Sequence, residues 1–213
     1  MTAENNVVFV VDDDARIREA LLDMLESYGI RAITFGSAGE YARAVKPETT
    51  ACLVLDVELP DINGLDFQTQ IANAGHPPIV FITGHGSIPA SVRAIRHGAV
   101  DFLTKPFSDA DLMTAIRTAL ARDRQERSAR SELSALRRRL DELTPRERDV
   151  LPLVVSGFLN KQAAAELGIS EVTLQLHRRN VMLKMGAASL ADLVRMAEKL
   201  EIPLSRSPRA GGH

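Results

Sequence analysis

The strongest constraint on this chain is an alternation. In its first half five short apolar runs, VVFVV (7–11), RAITF (31–35), CLVLD (52–56), PIVFIT (78–83) and VDFLT (100–104), are separated by amphipathic stretches. In the first of these stretches Ile17, Leu21, Leu25 and Tyr28 recur at helical spacing. A strand with one solvated face alternates apolar and polar residues, whereas a strand covered on both faces reads as a nearly continuous apolar run. Strands of the second kind, alternating with helices, form βαβ units and a parallel sheet wrapped on both sides. Local signals mark the helix ends. Asp14 is placed to cap the first helix, with Gly29 just past its end, and Ser37 and Asp109 take the N-cap place of the second and fifth. Cys52, the single cysteine, lies inside an apolar run and reads as a small buried hydrophobe.

The first run passes directly into Asp12, Asp13 and Asp14. In a doubly wound sheet, chemistry gathers where the strands end. Asp12 and Asp13 follow strand 1, Asp56 ends strand 3, Thr83 ends strand 4 and Lys105 follows strand 5, so all five share one edge. Carboxylates gathered there repel unless a cation joins them, and hard oxygen ligands suit Mg2+. A hydroxyl and an ammonium beside such an ion fit a phosphoryl group. Asp56, in the centre, can attack phosphorus to give an acyl phosphate. Each residue alone has a plainer reading: an Asp at a strand end is often a helix cap, and a lone Thr or Lys carries no signal. The five together form the pattern, and Asp14 is left to capping.

The stretches VVDDD, LVLDVELPDINGL, FITGHGS and DFLTKPF together resemble the receiver domain of bacterial two-component response regulators, over about residues 5 to 122. The resemblance implies that Asp56 is the phospho-acceptor. It implies that Asp13 binds Mg2+ directly, Asp12 largely through water, and that the backbone carbonyl of Glu58 completes the protein ligands. Thr83 would contact the phosphoryl oxygens, Lys105 would pair with the phosphate, and the Lys105–Pro106 peptide would be cis. Phe102 would be an aromatic switch that turns inward with Thr83. A phosphoryl group adds about −1.5 to −2 of charge, which would bias a two-state surface made by helix 4, strand 5 and helix 5. In related regulators that surface dimerises. SIPASVRAIRHGAV would form it here, although Ile88, Val92 and Ile95 can equally be read as core. Leu59 stands where the family usually has Met, and Ser87 where Asp is frequent; neither touches the chemistry.

From Asp109 a helical pattern continues through RDRQERSARSELSALRRRLDEL without Gly or Pro. Leu133, Leu136, Leu140 and Leu143 form a short a/d seam. It suits either a charged linker whose leucines touch a neighbouring domain or a dimerising coiled coil. No strand-like run follows. TPRE (144–147) predicts a helix start with Thr144 as N-cap, Pro145 at N1 and Glu147 closing a capping box, the helix ending near Gly157. A second helix spans about Lys161 to Leu167 before Gly168. A third, capped by Ser170, reaches about Met185 before Gly186, and Ser189 with Asp192 opens a fourth by another capping box. The tail SRSPRAGGH reads as disordered. The net charge of −2 conceals an asymmetry: residues 1–120 carry 16 acids against 9 bases, residues 121–213 carry 12 against 17. An acidic module joined to a basic one suggests that the second faces a polyanion.

NKQAAAELGISEVTLQLHRRNVMLKM suggests a helix-turn-helix, whose second helix needs one face buried and another free to enter the major groove. Leu174, Val181 and Met185 mark the buried face, and Gln175, Leu176, Arg179 and Leu183 lie opposite. Arg178, Lys184, Lys161 and Arg148 are placed to reach phosphates, though any one of them alone reads as a solvated surface charge. LTPRERDVLPLVVSGFLNKQAAAELGISEVTLQLHRRNVMLKMGAASLADLVRMAEKL resembles the LuxR-type DNA-binding domain, and with the receiver the chain looks like the FixJ-like branch of response regulators. Three departures stand out. Gln175 replaces the usual Lys and offers an amide suited to adenine. Ala163 replaces a usual Ile. Pro152 sits inside a helix, at a cost of about 3 kcal/mol or more unless a kink is accommodated. His177 is expected to make a structural hydrogen bond rather than a base contact.

The predicted architecture is an α/β doubly wound, parallel five-stranded receiver domain of flavodoxin-like type over residues 1–122. A long helical linker (123–142), an all-α LuxR-type helix-turn-helix domain (143–204) and a disordered tail (205–213) follow. The function so implied is that of a DNA-binding transcriptional response regulator, switched when a sensor histidine kinase phosphorylates Asp56. Thr83 and Lys105 would assist, with Mg2+ as cofactor. Its partners would be double-stranded DNA, RNA polymerase and a second copy of the chain on phosphorylation, with activation implied by the branch. The alternative is a phosphate-independent DNA-binding regulator with a dimerising receiver. An aspartyl-phosphate phosphatase would want a second carboxylate two residues after Asp56, where Glu58 stands, but no substrate-binding cap is present, and the reading is of a non-enzyme. No run is long and apolar enough for a bilayer span, and MTAENN is unlike a signal peptide, so the expectation is a cytoplasmic protein without a membrane partner.

Overall fold

The computed structural model describes residues 6–72 and 75–205. The chain divides into two compact units that part between Arg127 and Ser128.

In the first unit, β1 (Val7–Val11), β2 (Arg31–Phe35), β3 (Ala51–Asp56), β4 (Ile79–Thr83) and β5 (Asp101–Thr104) form one sheet in the order β2-β1-β3-β4-β5. Every pairing is parallel. β1, β3 and β4 are buried at every residue, which is why these runs carry no polar alternation. Successive side chains point to opposite faces. Phe9, Val11, Leu53, Leu55 and Phe81 pack with residues of α2 (Ala38–Arg43), α3 (Gly64–Ile71) and α4 (Ile88–Arg96). Val8, Val10, Cys52, Val54, Val80 and Ile82 pack with α1 (Ala15–Ser27) and α5 (Asp109–Asp141). The sheet is therefore doubly wound, as the alternation requires. Register sets the edge that matters for function: Val11 pairs with Leu55, Asp56 with Ile82 and Thr83 with Thr104.

The expected caps of α1 and α2 are present. The Asp14 carboxylate accepts from Arg16 N–H, and the Ser37 hydroxyl from Glu40 N–H. Asp109 is not the cap of α5. Ser108, one residue earlier, accepts from Asp111 N–H at 3.1 Å and donates to the Asp111 carboxylate at 2.7 Å. A hydroxyl can do both, which leaves Asp109 in the first turn. Cys52 is fully buried, and burial, with the charge of Asp123 adding to it, pushes its thiol pKa up. Asp123 itself is 1% exposed. It accepts from Ala51 N–H at 2.9 Å and from Arg127 Nε at 2.6 Å, so residues expected in the linker close the lower end of β3.

α5 continues unbroken to Asp141, and its last turns belong to the second unit with α6 (Pro145–Val155), α7 (Asn160–Leu167), α8 (Glu171–Met185) and α9 (Leu190–Lys199). Leu136 and Leu143 are buried and Leu140 packs against the helical core. Leu136, Leu140 and Leu143 of the seam are thus covered by the chain itself, and Leu133 is half-buried. Thr144 and Glu147 make both halves of the capping box. Gly168 and Gly186 end α7 and α8 with φ of +64° and +69°, the left-handed backbone that glycine adopts without a Cβ penalty. At α9 the box is displaced: Ser189 accepts from Asp192 N–H, but the Asp192 carboxylate accepts from Ala188 N–H. α6 runs on through Pro152, and the Ser156 N–H and hydroxyl both close on the Pro152 carbonyl. Ala163 is buried in the helical core. Of the predicted tail, residues 206–213 lie outside the described residues. No helix among the described residues is long and apolar enough to cross a membrane.

Candidate functional site

The five polar residues expected at one sheet edge do converge there. Asp12 is fully buried, Asp56 is 4% exposed and Thr83 is fully buried. The Lys105 ammonium donates to Asp12 Oδ2 at 2.7 Å and to Asp56 Oδ2 at 2.6 Å. Asp14 N–H donates to Asp12 Oδ1 at 2.9 Å, and Glu58 N–H donates to Asp56 Oδ1 at 3.0 Å. Both carboxylates are therefore aimed by backbone on one oxygen and by Lys105 on the other. The Lys105–Pro106 peptide is cis. Asp13 is exposed at the rim, and carboxylate oxygens of Asp12, Asp13 and Asp56 lie within 4.8 Å of one another. That all-oxygen donor set fits a hard divalent cation such as Mg2+.

Electrostatics follows from burial. Desolvation raises the Asp12 pKa above the ordinary carboxylate range, opposed by the Lys105 hydrogen bond and the Asp14 N–H. Burial works against the Lys105 charge as well, yet its bonds to Asp12 and Asp56 outweigh it and the ammonium pKa is raised. Lys105 thus acts as the internal counter-ion of two buried carboxylates. The Glu58 side chain is turned away: its carboxylate meets the exposed His85 ring at 3.2 Å. Thr83 Oγ1 accepts from His85 N–H at 3.2 Å. Phe102 is half-buried, its ring 6.2 Å from that of Phe81. On α4, Ile88, Val92 and Ile95 are 81%, 43% and 48% exposed; they form an outward apolar stripe, not core.

Two features escaped the sequence. Gly64 opens α3 against the Asp56 carbonyl, so close that a Cβ at this position would overlap that oxygen. The glycine stood in the quoted PDINGL, but only the packing shows its purpose. Arg18 Nη1 donates to the Asp12 carbonyl at 2.7 Å, tying α1 to the same corner.

In the helical unit α8 carries Leu174, Val181 and Met185 fully buried, and Gln175, Leu176, Arg179 and Leu183 exposed. This is the two-faced helix that the spacing predicted. Lys161 is exposed at the start of α7. Arg178 is half-buried and donates to Asn160 Oδ1 at 3.0 Å. Arg148 bonds the Leu143 and Asp141 carbonyls. Lys184, expected at phosphates, places its ammonium 2.7 Å from Glu147 Oε2 and 3.2 Å from the Glu142 carbonyl. Glu147 is 3% exposed. The Lys184 hydrogen bond outweighs burial and, with the Thr144 N–H, holds the Glu147 pKa at about 2. The structural hydrogen bond expected of His177 is not found at Nδ1, which is buried without a partner among the described residues.

Two family profiles match the chain: the response regulator receiver domain over residues 8–117, and the bacterial regulatory proteins of the luxR family over residues 141–197. Nodulation protein W of Bradyrhizobium diazoefficiens is 50% identical over 197 residues, 92% of this chain and 87% of that protein. Response regulator protein TmoT of Ectopseudomonas mendocina is 45% identical over 202 residues, 94% and 92% of the two chains. A solved structure of the response regulator StyR aligns with a TM-score of 0.82 at 44% identity, covering 92% of this chain and 99% of its own. Full-length FixJ from B. japonicum aligns at 0.56 and 35% identity, covering 94% and 99%.

Proposed function

The chain belongs to the two-component response regulators that join a receiver domain to a LuxR-type DNA-binding domain, and we propose that phosphorylation of Asp56 by a sensor histidine kinase gates its binding to DNA. The observation that carries this reading is the pocket itself. A buried Asp56 shares one ammonium with a buried Asp12 beside a third carboxylate. A receiver kept only as a dimerisation module would have no need of that geometry.

In the transfer, an Asp56 carboxylate oxygen attacks phosphorus and the bond from phosphorus to the donor nitrogen breaks, leaving an acyl phosphate. Mg2+ held by Asp13, Asp56, the Glu58 carbonyl and, through water, Asp12 would supply positive charge against the phosphoryl oxygens. Lys105 exchanges its contact with the Asp56 carboxylate for one with the new phosphate. Thr83 Oγ1 turns to donate to a phosphoryl oxygen, and Phe102 moves into the space released. The exposed stripe of Ile88, Val92 and Ile95 then pairs with that of a second copy, and two α8 helices are set on half-sites. Gln175, Leu176 and Arg179 meet base edges, while Lys161 and Arg178 meet phosphates. Lys184 serves chiefly to anchor α6. Activation through RNA polymerase rests on the likeness to the FixJ-like branch.

The test is selection from a random-sequence duplex pool with Mg2+, using wild type with and without a small phosphodonor, and Asp56→Asn. Enrichment of one motif by phosphodonor-treated wild type alone is the expected result. Equal enrichment by all three samples would overturn the gating and favour the phosphate-independent alternative.

A further inference from the structure

The exposed face of α8 is unusual for a surface meant to meet a polyanion. At about 100° per residue, Val172, Gln175, Leu176, Arg179 and Leu183 share an arc of about 100°, opposite the buried Leu174, Val181 and Met185. Three of the five are aliphatic, and they are strongly exposed: Val172 78%, Leu176 56% and Leu183 68%. Arg179 is the only cation among them. Water-exposed aliphatic side chains on one stripe carry a cost that is recovered when the stripe is covered. The first two turns after the Ser170 cap, where a recognition helix meets base edges, hold Val172, Gln175 and Leu176 and no Arg or Lys. Guanine is read chiefly by Arg or Lys at O6 and N7, whereas the thymine methyl is read by apolar contact and adenine by a Gln amide. The three groups of the exposed arc in those two turns therefore match A·T pairs and none matches guanine, while Glu171, whose carboxylate would suit cytosine N4, lies outside the arc. Spacing agrees as well. Val172 and Leu176 are separated by about 6 Å along the helix, close to two base-pair steps of about 3.4 Å.

We infer that Val172 and Leu176 are specificity residues that read thymine methyl groups on two A·T pairs of each half-site, with Gln175 reading adenine between or beside them. The inference rests on the reading that α8 enters the major groove, and it adds which base pairs the helix selects. Arg179 is left to set the far end of the contact.

The experiment uses the full-length chain, treated with Mg2+ and a phosphodonor, on the site recovered from the random pool. Each thymidine of one half-site is replaced in turn by deoxyuridine, which removes only the methyl group. Two positions should lose about fourfold in affinity, the worth of one buried methyl, while the others stay within twofold. Val172→Ala should abolish the sensitivity at one of the two positions and Leu176→Ala at the other, each leaving its neighbour's intact. Tight binding that is indifferent to every deoxyuridine replacement would overturn the inference while leaving DNA binding standing. So would a selected half-site whose central pairs are all G·C. Failure to enrich any motif would remove the DNA-binding reading itself, and this inference with it.

Discussion

Replacing Lys184 by Met separates the two roles that a basic residue on α8 can have. The Lys184 ammonium lies 2.7 Å from Glu147 Oε2, with side-chain exposures of 34% and 3% for the two residues. Breaking a fully buried pair from one side costs about 3–5 kcal/mol, because the remaining charge is left uncompensated. Lys184 is one-third exposed, and Glu147 keeps the Thr144 N–H bond at 2.8 Å, so the cost here should be nearer 2 kcal/mol. The two units can be followed separately. The chain has no Trp, and its two tyrosines, Tyr28 and Tyr41, both lie in the first unit. Tyrosine fluorescence therefore reports that unit alone, while far-ultraviolet dichroism also sees the helical one. With a urea dependence of about 1 kcal/mol per molar for so small a unit, Lys184→Met should lower the helical midpoint by about 2 M and leave the tyrosine transition in place. The pH dependence adds a second mark. Glu147 has a pKa of about 2 in the folded chain against an ordinary 4.5. Its contribution is complete above the unfolded value and is lost as pH falls from there through the folded one. The difference between wild type and Lys184→Met should therefore be full at neutral pH and close on acidification. An unchanged helical midpoint, with DNA affinity lost, would refute the anchoring role and return Lys184 to the phosphates.

Gly64→Ala should push back the Asp56 backbone, lowering the stability of the first unit by about 1–3 kcal/mol and slowing phosphoryl uptake from a small phosphodonor; tyrosine-monitored unfolding and intact mass read the two effects. Lys105→Met removes the counter-ion of Asp12 and Asp56, so the first unit should weaken by about 2–3 kcal/mol without metal and gain more thermal stability from added Mg2+ than wild type does. Leu136→Ala should cost about 2–4 kcal/mol of helical-unit stability by leaving a cavity, with no change in oligomeric state by light scattering; loss of a dimer would restore the coiled-coil reading.

What the sequence made legible is what neighbouring residues decide. β1, β3 and β4 are buried throughout, so their runs had to be apolar up to the terminal Asp56 and Thr83. The caps at Asp14, Ser37, Thr144 and Ser170 bond within three residues along the chain, and their composition announces them. The acidic pocket was readable because a parallel sheet brings all its strand ends to one edge. Other features that the sequence did not show join distant residues. Asp123 meets Ala51 across 72 positions, and Lys184 meets Glu147 across 37; no local pattern encodes either pairing. Ser108 and Asp109 are both good caps, and only the backbone geometry chooses between them. The leucine seam shows that a stripe needs a cover, but spacing alone does not say that Leu136 and Leu143 find it within their own chain.

The gating of DNA binding by Asp56 is tested most directly by the affinity of the full-length chain for its selected site, measured against the fraction of chains phosphorylated. Affinity should rise in step with that fraction in wild type and stay flat, at the unphosphorylated level, in Asp56→Asn. An affinity that does not change as phosphorylation goes to completion, equal in wild type and Asp56→Asn, would contradict the claim and leave the pocket without a part in DNA recognition.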